Sequence, residues 1–107
     1  VTGDHVAAFV EGLRRLRAHP EVRDGLVVYR VDLVETAVEV AELTGWPMAP
    51  PHWIHLPAVV VLPATNSQRS TRSGWLRHSR QVDGWGGDAD PVRAWVAHVR
   101  GVLATAR

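Results

Sequence analysis

At 107 residues and 46% hydrophobic content, the chain can bury one modest core, so residues 1–107 read as a single domain and neither disorder nor a two-domain layout fits. A formal net charge of +1 argues against a general nucleic-acid binder, and all 12 basic residues are arginine, which excludes a Schiff-base lysine. With no cysteine there is no disulfide, no thiolate metal site and no thiol nucleophile, which fits a reducing, cytoplasmic setting.

Asp4 to Ala18 predicts an amphipathic helix. Val6, Phe9, Val10, Leu13 and Leu16 recur at helical spacing, Asp4 or Thr2 caps the start, and Pro20 stops it beyond His19. Leu26 to Val34 alternates, with Val27, Tyr29, Val31 and Leu33 on one face, and predicts a half-buried strand. Glu35 to Leu43 favours a second strand paired with the first, with a short helix as the alternative. Trp46 to Pro51 is too rich in proline for a helix. His52 to Leu56 predicts a short strand, and Ala58 to Leu62 a further extended piece. That last run is the longest apolar stretch and falls far short of the roughly 20 residues a membrane span needs. No charged stretch leading into an apolar one opens the chain at Val1, so no signal peptide is expected.

Ala64 to Gly74 is polar and predicts a mobile loop. Gly84, Gly86 and Gly87 mark a turn around Trp85. Asp90-Pro91 then opens the clearest element, a helix to Ala106 whose stripe is Val92, Trp95, Val96, Val99, Val102 and Leu103, with Arg93 and Arg100 outside. Charge is uneven along the chain. Asp32, Glu35, Glu39 and Glu42 form an acidic run without a base; Arg69, Arg72, Arg77 and Arg80 form a basic run without an acid.

His52 and His55 have a spacing that suggests a metal, but on an extended segment residues three apart face opposite ways. A shared ion is therefore disfavoured unless His78 or a carboxylate meets one of them. In Arg77-His78-Ser79-Arg80, adjacency of histidine and serine is no argument for a nucleophile and base, and no Gly-x-Ser-x-Gly elbow is present. Anion binding by the arginine forks is the better chemistry there. Trp95 belongs to the core, Trp46 and Trp85 read as lids, and Trp53 and Trp75 are candidate contact residues.

Trp46-Pro47-Met48-Ala49-Pro50-Pro51 is similar to the aromatic-Pro-x-x-Pro-Pro signature of ubiquitin-conjugating enzymes, and the order of elements matches as well. Pro50 to Pro57 and Gly74 to Arg80 resemble a bacterial branch of that superfamily, its prokaryotic family E, over roughly Leu26 to Leu103. The family's His-Pro-Asn is missing, with its nearest echo at Pro63 to Asn66. The position of its catalytic cysteine falls near Arg77 or His78, and neither is a cysteine. Thioester formation needs a thiolate, so the transfer chemistry does not carry over.

The expectation is therefore an α+β domain similar to ubiquitin-conjugating enzymes and RWD domains. An antiparallel sheet of three to four strands should carry an N-terminal helix and a C-terminal amphipathic helix. Its expected role is that of a non-catalytic binding module without a cofactor or metal, whose protein partner the resemblance implies to be ubiquitin-like. No nucleic acid or membrane is expected as a partner. The candidate binding residues are Trp75, Arg77, His78 and Arg80, with Trp53 and His55. The alternative is an enzyme using His78 as acid or base, with Arg77 and Arg80 on an anionic substrate.

Overall fold

The alternating stretch after the first helix folds into the central hairpin of an antiparallel sheet. In the computed structural model, which describes residues 2–63 and 65–106, the elements are helix α1 (Thr2–Arg15), strands β1 (Glu21–Arg23), β2 (Leu26–Val31) and β3 (Val34–Glu39), a 3-10 turn (Val40–Leu43), strands β4 (Ile54–Pro57), β5 (Asn66–Arg69) and β6 (Trp75–Ser79), and helix α2 (Pro91–Leu103). The architecture is α+β, with strand order β1-β2-β3-β4-β6-β5. Every pairing is antiparallel. The sheet has six strands among the described residues, more than the three or four expected.

Strands β1, β5 and β6 were not expected: β1 and β5 lie at the edges, where sequence patterning is weakest, and β6 lies between β4 and β5. Strand β5 was expected to be part of a mobile loop. All four of its residues are exposed, and pairing with β6 satisfies the side of its backbone that faces the sheet with no need for apolar side chains. Such a polar edge also resists pairing with other chains. Strand β1 is three exposed residues tied back by the Asp24-Gly25 turn, where both residues have positive φ (54° and 75°), the geometry of a tight hairpin turn. Ala58 to Leu62 is no strand. It turns back at once, with the Val60 N–H donating to the Pro57 carbonyl at 2.9 Å, and Val59 is exposed. Ala64 and the side chain of Thr2, expected to lie in a loop and to cap α1, are outside the described residues. Helix α1 ends at Arg15, before Pro20, because Arg17 enters the left-handed region at φ 58° and the Ala18 N–H returns to the Leu13 carbonyl.

Both helices cover one face of the sheet. The core between them holds Phe9 and Leu13 of α1, Val27, Tyr29 and Val31 of β2, Ile54 and Leu56 of β4, and the whole Val92, Trp95, Val96, Val99, Val102 stripe of α2. Trp95 Nε1 donates to the Tyr29 hydroxyl at 2.8 Å, which gives the indole a partner in the interior. Burial pushes the Tyr29 phenol up to about 12. Asp90 caps α2 through the Arg93 N–H, and Trp46 closes the end of the core edge-on to Phe9. No described helix is long and apolar enough to cross a membrane.

Candidate functional site

With both helices on one side, the opposite face of the sheet carries, among the described residues, its own side chains and the turn after β5. Strand alternation decides which residues reach it. Register pairs Ala37 with His55 and His55 with Arg77, so these three share the outer face; Ile54 and His78 share the inner one. The outer face has a small apolar cluster of Leu26, Val28, Ala37 and Trp75. Beside it the acidic run on β3 meets the basic run from β5 to β6. Arg72 reaches Glu35 at 3.1 Å and lies 4.1 Å over the Trp75 ring. Arg77 lies 4.5 Å over Trp53, donates to Gln68 at 2.8 Å and stands 4.0 Å from Glu39.

His55 sits at the centre with its ring entirely buried. Its Nδ1 is 2.7 Å from the Ser70 hydroxyl. Its Nε2 faces two carboxylates, Glu42 Oε1 at 3.3 Å and Glu39 Oε1 at 3.9 Å. The other oxygen of Glu42 accepts the Glu39 backbone N–H at 3.1 Å, which holds that carboxylate in place. Thr71 donates to Glu39, and the Arg72 N–H donates to the Ser70 hydroxyl. Serine, histidine and glutamate thus stand in series, a chain that in a hydrolase would activate the serine. Here Ser70 is 7% exposed and already accepts a backbone N–H, so its oxygen is closed to a substrate.

Compared with known proteins, the chain matches no family model, no curated protein and no solved structure. The site therefore rests on its own geometry.

That geometry divides the candidate residues. Trp53, His55, Trp75 and Arg77 come together on the outer face, with Trp75 buried beneath Arg72 and His55 buried among its partners. His78 points the other way and is 2% exposed; its Nδ1 is 2.7 Å from the Ser67 hydroxyl and its Nε2 has no partner among the described residues. Burial pushes His78 below the usual imidazole value, and charge on His55 adds to this. Arg80 leaves the sheet and lines a shallow hollow with Gln81, Asp83, Ala97 and His98 near α2. Arg77 and His78 cannot act on one ligand because neighbours on a strand diverge. His52 does not join His55: its Nε2 stands 3.4 Å from the Ser79 hydroxyl.

Glu39 and Glu42 were read only as part of an acidic run and Ser70 was not singled out at all. The signal that pointed to them was the pair of complementary charge runs, which the sheet lays side by side.

Proposed function

We propose that the chain is a non-catalytic protein-binding module on a scaffold like that of ubiquitin-conjugating enzymes, with the helix-free face of its sheet as the contact surface and a ubiquitin-like protein as partner. The observation that carries this reading is the Trp53–Arg77 stack on that face, half-buried and held in place by Gln68 and Glu39. An aromatic ring under a pre-oriented guanidinium loses little freedom on binding, the usual make-up of a binding hot spot. The guanidinium fork suits a carboxylate on the partner. The enzyme alternative requires Arg77, His78 and Arg80 to converge, and Arg77 lies on the face opposite His78 and the hollow by α2 that Arg80 lines.

The test is calorimetric titration of ubiquitin-like proteins into wild type and the Trp53→Ala, Arg77→Ala double variant. Binding should weaken by more than about tenfold, with the remainder less sensitive to salt. Equal affinity for the two would remove this face from the binding surface.

A further inference from the structure

The Glu39, Glu42 and His55 cluster has a donor geometry that neither a binding surface nor a set of ion pairs requires. We infer that these three residues form a site for one zinc-sized, first-row divalent cation, bound through His55 Nε2 and one oxygen of each glutamate, with Ser70 orienting the imidazole.

Distances carry the argument first. Zinc bonds of about 2.0–2.2 Å to nitrogen and oxygen in a tetrahedron place neighbouring ligand atoms about 3.3 Å apart. His55 Nε2 to Glu42 Oε1 is 3.3 Å, Nε2 to Glu39 Oε1 is 3.9 Å, and the three candidate donor atoms all lie within 4.8 Å of one another. Closing the remaining gap takes a movement of the Glu39 side chain, whose Oε1 now accepts from the Thr71 hydroxyl at 3.4 Å.

The outer ring of contacts is the second part. A metal-bound imidazole characteristically has its other nitrogen fixed by a hydrogen bond, which sets the tautomer and the ring plane. His55 Nδ1 has that partner in Ser70 at 2.7 Å, and Ser70 is itself anchored by the Arg72 N–H. A hydroxyl can accept from Nδ1–H as readily as donate to a bare Nδ1. A ring that carries its proton on Nδ1 therefore presents its Nε2 lone pair to a cation. Glu42 is held likewise, its second oxygen occupied by the Glu39 N–H.

Charge and access complete the case. Among the described residues no arginine lies within salt-bridge distance of Glu42, so two carboxylates share one imidazole and a single guanidinium nitrogen at 4.0 Å from Glu39. The glutamate side chains are 22% and 11% exposed while His55 is closed off, so a cation enters from the carboxylate side and water completes its shell there. Imidazole with two carboxylates suits zinc or cobalt better than calcium or magnesium, which prefer oxygen alone.

The experiment is calorimetric titration of Zn2+ into chelator-treated protein, with Co2+ absorption as a second readout of a nitrogen-containing, low-coordinate site. One equivalent is expected to bind. Glu42→Gln should weaken binding at least about tenfold and Ser70→Ala by about tenfold, the usual loss when a supporting residue is removed. Arg77→Ala, which removes the competing cation beside Glu39, should tighten it. His52→Gln serves as the control for surface histidines and should leave binding unchanged. Because His55 is fully buried and His55→Gln can fail to fold, Glu42→Gln and Glu39→Gln, checked for native circular dichroism, carry the decision. Absence of binding at millimolar Zn2+, or stoichiometric binding that survives Glu42→Gln and Glu39→Gln in folded protein, would overturn the site.

Discussion

The closest approach of the two helices is set by Gly12, and the same substitution at two glycines should have opposite signs. A Cβ built on Gly12 would stand 2.7 Å from Val92 Cβ and overlap the Val92 Cγ2 methyl as well. Normal carbon contacts are about 3.5–4.0 Å, so the overlap is of the order of an ångström. Rotating Val92 gives no relief, because its Cβ is fixed to the α2 backbone and the residue is buried. The helices must move apart, and overpacking of that kind costs about 1–3 kcal/mol. Alanine returns about 1 kcal/mol of helix propensity. A net loss of up to about 2 kcal/mol is expected for Gly12→Ala. At Gly101, on the exposed side of α2, a Cβ meets nothing within 4 Å, so Gly101→Ala keeps the propensity gain, reduced to about 0.5–1 kcal/mol by its place in the last turn. With a urea slope of about 1–3 kcal/mol per molar, the two variants should melt on opposite sides of wild type, about 1 M apart. Circular dichroism is the suitable signal, since five tryptophans confuse fluorescence. A Gly12→Ala, Val92→Ala double variant should lose less than the sum of its parts, because each relieves the other's misfit. If Gly12→Ala melts at or above wild type, the helices are not in contact at this point and the account of the core is wrong.

Trp95→Ala should cost about 3–5 kcal/mol by removing a buried indole that also donates to Tyr29, while Arg93→Ala, on a side chain 74% exposed, should cost under about 0.5 kcal/mol. Equal urea midpoints would mean the apolar stripe is misplaced. His78 should make stability pH-dependent in a definite direction. Its folded pKa lies below the unfolded value of about 6.5, so the unfolded chain takes up a proton that the folded one resists. Its contribution is complete above that pH and is lost as pH falls from there through the folded pKa. Half-buried His98 acts with the same sign. Urea midpoints at pH 7.5 and 5.5, both about a unit from that value, should therefore fall more for wild type than for His78→Gln. Identical falls would assign the slope elsewhere.

What could be read from the sequence was local. Apolar period placed both helices and the β2–β3 hairpin, and the Asp90 cap placed the start of α2, because a helix or hairpin answers to residues a few positions away. The ambiguous stretch Glu35 to Leu43 contained both answers in turn, a strand to Glu39 and a short 3-10 turn after it. The α2 stripe was legible down to Trp95, since a single face must find a core.

What only tertiary structure decided involves segments far apart in the chain. Polar β5 became a strand because β6 offered it a partner, not because its own pattern asked for one. Alternation sent Arg77 and His78 to opposite faces once β6 was known to be extended, which divided a patch that looks continuous in sequence. Gly12 is an ordinary glycine until Val92 is laid across it. His55 acquired Glu39, Glu42 and Ser70 through the register of β3 on β4 and the fold of the turn after β5. Periodicity says which face of an element is buried; it carries no term for what lies opposite that face. Long-range pairing supplies that, and the candidate site is built almost wholly from it.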